Sequence, residues 1–429
     1  MTGKRPQTTG VTGYAEHARI ADELNTLPNL LRMAGYQTAS IGRSMHTYPH
    51  YRRYGFEVVE HNQDLFYRRH PHIKPMSDAG GIWSDWPHLQ EHGLPVNGVS
   101  ARPWHLNEQD HETNTSIRSA IEFLDRRDRE SPFFMYVGTV APHPPLLPPA
   151  CYYDRYDRYG MRAPAVGDWA GSDRSPLLCP PTTQPPTSAS APRLILDGQQ
   201  RRSTLAGYYG LINHFDDQLQ LLLARLECDG IMRNTYILFT SDHGEMLGDH
   251  HCFRKSLPYE GSAHIPLMLR GPTIDPGTVV DQPVVLMDIL PTCCDIAGIQ
   301  VPDTIEGRSL LPTTRGENLG RPFVHGTHGA MRDCHDGFHY LTDGRFKYIW
   351  WVGPGREQLF DLDNDACECH DLTTESAHKD QLVTMRNALI DMIANAPEGF
   401  VQDGQLVGNI AYGSTNSHAV LTAINASTG

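Results

Sequence analysis

A short apolar run, Tyr236-Ile237-Leu238-Phe239, stops abruptly at Ser241-Asp242-His243-Gly244. The run is rich in β-branched and aromatic residues and has the length of a strand. In a parallel α/β sheet, ligands bind at the carboxyl ends of strands. Asp242 and His243 therefore stand where an oxygen and a nitrogen can reach a metal ion. Gly244 lets the chain turn sharply behind them. Lys255 follows closely enough in sequence to fold back over the same place.

At 429 residues the chain suits one large α/β domain plus a smaller one. A formal net charge of −14 argues against a nucleic-acid partner, because phosphate backbones need a basic surface. An anionic substrate stays open, since a local cluster of Arg, Lys and metal can oppose the global charge. There are 9 Cys, with no pair at zinc spacing. Cys293-Cys294 and Cys367-Glu-Cys369-His370 read as structural thiols, because two ligands that close rarely make a site. No apolar run reaches transmembrane length and no signal peptide is visible.

Punctuation places the other elements. Residues 26–35 read as a helix, with Thr26 as N-cap, Pro28 in the first turn and Gly35 at the end. Leu27, Leu30, Leu31 and Ala34 give it one buried face. A strand over 36–41 then delivers Gly42-Arg43-Ser44-Met45-His46 at its carboxyl end. Residues 47–110 show little periodicity and read as pocket-shaping loops. A helix over 113–129 precedes a strand over 133–137, at whose end prolines hold His143. Residues 163–192, dense in Pro, Ser, Thr and Ala, read as a flap. A long helix spans 199–227, a strand 265–269, and a helix 283–297 that Pro291 should kink. From about residue 318 the texture becomes short aromatic strands with a hairpin at Asp343-Gly344, then a helix over 377–394. Asp361-Leu-Asp-Asn-Asp365 lacks the Gly and terminal Glu of a calcium loop and reads as a turn.

The string Thr240-Ser-Asp-His-Gly-Glu-Met-Leu-Gly-Asp-His250, with Lys255, Pro258-Tyr259-Glu260 and Ile265-Pro266-Leu267, closely resembles the sulfatase family of the alkaline-phosphatase-like superfamily. Pro302 to Pro312, around Gly307-Arg308-Ser309-Leu310, resembles the family's closing segment. The resemblance implies an α/β fold: a mixed, mainly parallel sheet sandwiched by helices over 1–317, and a small antiparallel-sheet-plus-helix domain over 318–429. It implies metal-assisted hydrolysis of a sulfate ester, of a sulfated carbohydrate or an aryl sulfate. Its other implications are Asp242 and His243 as ligands of a divalent metal, calcium first and magnesium second; Arg43, His143 and Lys255 lining the sulfate; and His46, His143 and Lys255 in catalysis. Arg43 stands where the family usually has Lys, which keeps the charge and adds a planar fork. In the family, Asp216 and Asp217 match a helix used for packing, not for the ion.

Residues 1–13 resemble the segment that follows the family's nucleophile motif, Cys/Ser-x-Pro-x-Arg, whose Cys or Ser is oxidised to formylglycine. None of the Cys here lies in such a motif. The expectation is weak ion binding, an open strand edge and a low melting temperature for the sequence as it stands. Two other readings use the same scaffold or none of its chemistry: a phosphodiesterase or phosphonate monoester hydrolase, and a non-catalytic sulfatase-like binding protein. The expected partner is a small sulfated substrate, with no nucleic acid and no membrane span. An upstream signal would make the protein exported or periplasmic; without one it is cytoplasmic.

Overall fold

The computed structural model describes residues 1–13, 25–43, 52–61, 94, 98–158, 162–171, 175–177, 193–329, 337–410 and 412. His46 lies outside them, as do most of the expected pocket loops and the greater part of the flap.

Helix α1 (Leu27–Met33) leads into β1 (Gln37–Gly42). Thr26 has the extended backbone of an N-cap, but its hydroxyl donates to Tyr54 O at 2.7 Å and not back to the helix. Strand β1 pairs in parallel with β2 (Val58–His61). After α2 (Glu112–Arg126), β3 (Phe133–Gly138) returns in parallel on the other side of β1. Helices α3 (Ala150–Asp157) and α4 (Gly198–Cys228) follow. A capping box formed by Asp197 and Gln200 opens α4, satisfying donors that its first turn cannot pair. Ala39 and Ile41 of β1 are buried against Ile117, Ala120, Phe123 and Leu124 of α2 and Leu222 and Leu226 of α4. Each large apolar side chain buried there contributes about 2 kcal/mol.

Strand β4 (Ile237–Thr240) is the apolar run of the opening argument. The short helix α5 (Glu260–Ala263) precedes β5 (Leu267–Arg270), which pairs antiparallel with β4. Among the described residues, β3 pairs only with β1, and β4 only with β5. The side chains of β4, and of β3 up to Val137, are half-buried, as expected of apolar strands with one free edge. Pro291 does not kink a long helix. A 3-10 turn over Leu286–Asp288 gives way to α6 (Ile289–Ile296), so Pro291 falls in a first turn, where a missing N–H costs nothing.

The C-terminal strands β6 (Val324–His328), β7 (Phe338–Thr342), β8 (Phe346–Trp351) and β9 (Arg356–Asp361) form an antiparallel meander in that order. Period-two alternation sends Tyr348, Trp350 and Leu359 against Leu382, Met385 and Leu389 of α7 (Lys379–Ile393). The opposite face sends Phe338, Ile349, Trp351 and Phe360 against Trp169, Met246, Leu257 and Tyr259. The C-terminal sheet is therefore the floor beneath the 246–259 loop. Within that interface the Lys347 ammonium is buried at 2.7 Å from Glu260 and 3.0 Å from Glu368.

Candidate active site

Three strand ends converge. Gly42 ends β1 at φ 87°, and a Cβ there would lie 2.0 Å from Gly138 O at the end of β3. Only glycine allows that approach. The Arg43 N–H then donates to Gly138 O at 2.9 Å, which starts the guanidinium at the seam between the two strands. Its charge acts on Glu112, Tyr136, His143, His243 and Lys255, placing Arg43 inside one electrostatic cluster with them.

Beyond β3 the chain turns through Val140-Ala141-Pro142 to His143. Glu112, buried at the start of α2, accepts the N–H of Ala141 at 2.8 Å and of Val140 at 3.2 Å. That carboxylate fixes the turn. His143 Nδ1 lies 2.6 Å from the carbonyl of Pro144. A carbonyl only accepts, so Nδ1 carries the proton and Nε2 is left with a lone pair. Lys255 Nζ sits 2.5 Å from that Nε2 and must be the donor. Burial, then the Lys255 charge, hold the His143 imidazole well below its ordinary range, so it is neutral. Burial pushes the Lys255 ammonium down to about 8; Glu245 and Asp242 oppose this, while Arg254 and Arg43 add to it.

At the end of β4, Ser241 Oγ donates to His243 O at 3.0 Å and the His243 N–H to Asp242 Oδ1 at 3.0 Å. Gly244 packs against α5: its N–H donates to Ser262 O at 2.9 Å, and a Cβ would meet Gly261 O at 2.2 Å. His243 Nδ1 lies 2.8 Å from Gly244 O, so it too is the protonated nitrogen. Its Nε2 lone pair is 3.6 Å from Asp242 Oδ2. Burial lowers the His243 pKa, against the pull of Asp242. A carbonyl behind a ligating imidazole is the usual outer-shell arrangement at a metal. The pair fits part of a metal site. Calcium takes about six or more oxygens, and no group of three or more His, Cys, Asp or Glu that could hold an ion occurs among the described residues.

A family model described as sulfatase matches residues 1–299. The chain belongs to the sulfatase family. A second model, for the C-terminal part of N-sulphoglucosamine sulphohydrolases, matches residues 248–395. An arylsulfatase of Clostridium perfringens is 33% identical to this sulfatase-family chain over 95% of its length and 85% of the relative's. A solved structure holding D-glucosamine-2-N,6-O-disulfate as its substrate shares the fold, with TM-score 0.72 at 21% identity over 92% of this chain and 87% of that one. The phosphonate monoester hydrolase of Silicibacter pomeroyi shares it as well, with TM-score 0.69 at 22% identity over 92% of this chain and 84% of that one.

The structure brings Arg43, His143, Asp242, His243 and Lys255 of this sulfatase into one cluster. Sequence reading missed three members. Glu112 lies just before the expected helix over 113–129 and was given no role, though an acid at a helix start behind a strand end is a signal that could have been used. Tyr136 is on β3, half-buried, and its pKa is raised by desolvation and by the Asp242 charge. Glu245 was read only as part of the motif string. Its Oε1 accepts the N–H of Leu247 at 3.3 Å and that of Arg254.

Proposed function

We propose that this chain hydrolyses the sulfate ester of a small substrate, a sulfated carbohydrate or an aryl sulfate. The observation that carries the reading is the Lys255–His143 pair beside Arg43. Sulfate is a permanent dianion-like group once released, and its ester oxygens need fixed positive charge at the reacting centre. Arg43 and Lys255 supply it in a half-buried setting where charge is worth more than in water. The departing alkoxide needs a proton. The Lys255 ammonium holds one at neutral pH and is tuned close to it, which suits a general acid. Neutral His143 keeps that ammonium in place and takes no proton from solvent at neutral pH. Its Nε2 lone pair accepts from the Lys255 ammonium and orients it.

Sulfatases in general use a divalent metal and a formylglycine, which when bound supply Lewis-acid charge and the attacking oxygen. In this reading Asp242 and His243 contribute a carboxylate and an imidazole lone pair to the ion, calcium being the expected metal. His46, outside the described residues, belongs to the same proposal through the resemblance alone, as a catalytic residue.

The test is a panel assay. Inorganic sulfate release is followed from 4-nitrophenyl sulfate and glucosamine 6-sulfate, beside hydrolysis of 4-nitrophenyl phenylphosphonate and bis(4-nitrophenyl) phosphate. Faster sulfate-ester turnover supports the reading. Faster phosphonate or phosphodiester turnover overturns it in favour of the other hydrolase class that shares this fold.

A further inference from the structure

The string Cys367-Glu368-Cys369 lies on the turn after β9, and its middle residue ties several parts of the molecule together. Glu368 is buried, with one carboxylate oxygen 3.0 Å from the Lys347 ammonium and the other accepting the Glu260 N–H at 2.6 Å. Its carbonyl accepts the Trp169 indole N–H at 2.9 Å, and the carbonyl of Cys369 accepts the Asp168 N–H at 2.9 Å. One tripeptide thus joins the chain at 168–169, the start of α5 and strand β8.

The thiols on either side have no part in those bonds. Cys252 and Cys294 are buried, as thiols kept for packing are, whereas Cys367 is exposed and Cys369 half-buried. Glu368 between them has φ 55°. A non-glycine residue at positive φ is confined to the left-handed region, a tight curl that draws its two neighbours together. Their Cα atoms are thereby brought toward the separation of about 4.4–6.8 Å that a disulfide spans. Cys369 Sγ is folded back to 3.8 Å from Cys367 O, over the residue that it would join. Burial, then the Asp365 charge, push the Cys369 thiol up to about 11, so the exposed Cys367 meets an oxidant first.

We propose that Cys367 and Cys369 are a redox site: a disulfide forms across Glu368, and the small ring locks the tripeptide in the bend that it already has. The oxidant is a small-molecule disulfide. The Cys367 thiolate attacks one of its sulfurs, which releases one thiol and leaves a mixed disulfide. The Cys369 thiolate then attacks the Cys367 sulfur and releases the second thiol. Two S–H bonds are lost and one S–S bond forms in the protein, and the two electrons and two protons leave with the two small thiols. Because the bend is already made, closure asks little of the folded chain and removes freedom from the unfolded one.

The full chain is incubated with oxidised glutathione at pH 8.5, quenched with iodoacetamide, and the peptide carrying both cysteines is mapped by mass spectrometry without reduction. The expected peptide is two hydrogens lighter than the reduced one and carries neither alkyl label nor glutathione. Cys369→Ser should instead keep one glutathione on Cys367. The oxidised chain should melt about 2 °C above the reduced chain, a small rise because the closed loop is short. Cys367→Ser treated in the same way should show no rise. Recovery of both cysteines alkylated overturns the proposal, as does a lasting glutathione adduct on Cys367 in the parent chain. A ring that forms but lowers the melting temperature overturns the lock, since closure would then pull the tripeptide off its partners. None of these readouts involves sulfate-ester turnover, so the assignment stands or falls apart from the sulfatase reading.

Discussion

Lys255 and His143, 112 residues apart in the chain, share one proton across 2.5 Å, with the ammonium as donor and the imidazole Nε2 as acceptor. The direction is settled by the other ring nitrogen, which faces a carbonyl and must carry its own hydrogen.

Replacing Lys255 by Met removes the donor at similar volume. The expected loss in kcat/KM is about 100-fold or more for alkyl sulfates, in the range of general acid catalysis. The loss should shrink for 4-nitrophenyl sulfate, whose leaving group needs little protonation. A series of aryl sulfates with leaving groups of rising pKa checks this. An equal loss across the series would place Lys255 in anion binding alone.

Activity and stability should move in opposite directions above neutrality. The Lys255 pKa is lowered by burial to about 8, below its unfolded value. Turnover should therefore fall as pH rises through about 8, when the ammonium is lost. Between that pH and the unfolded pKa the unfolded chain binds the extra proton, so stability rises with pH over the same window. Urea melts from pH 7.5 to 10, compared with Lys255→Met, isolate the contribution; the variant should lack that part of the rise.

Glu112→Ala leaves the N–H groups of Val140 and Ala141 without their acceptor in a buried turn. Each unpaired donor costs about 1–3 kcal/mol, so a loss of a few kcal/mol is expected in urea unfolding. Glu112→Gln should recover most of it. Native stability in Glu112→Ala would show the turn to be held elsewhere.

In the proposed reading calcium binds weakly, so only excess calcium should raise the melting temperature, and Asp242→Ala should remove most of that rise. A chelator should abolish sulfate-ester turnover and calcium restore it. Differential scanning fluorimetry with calcium, magnesium and EDTA reads the first, and the panel assay reads the second. An unchanged calcium response in Asp242→Ala would move the ion away from β4.

Much of the site was legible because strand ends punctuate the sequence. The apolar run before Ser241 and the runs before Gly42 and Gly138 end where Asp242, Arg43 and the His143 turn begin, and the structure places those ends together. What was not legible depends on burial. Glu112 and Glu245 are acids in polar-looking stretches, and only the fold shows that Glu112 is buried and that both accept backbone N–H groups of a turn or loop. Pro291 was misjudged because a boundary off by a few residues turns a helix-starting proline into a helix-breaking one. The pairing of β4 with β5 as an antiparallel unit could not be seen either, since short apolar runs carry no direction.

The floor under the 246–259 loop has a consequence for how damage spreads. Tyr259 stacks on Trp169 and donates to Gln358 of β9 at 2.9 Å, and Trp351 and Phe360 close the same layer. In a saturation scan, substitutions at Trp351 or Phe360 should therefore score like lesions at the reacting centre, although both side chains are fully buried. A shortened chain ending after α6 would keep every group proposed to meet the anion and lose the masonry on which Lys255 stands.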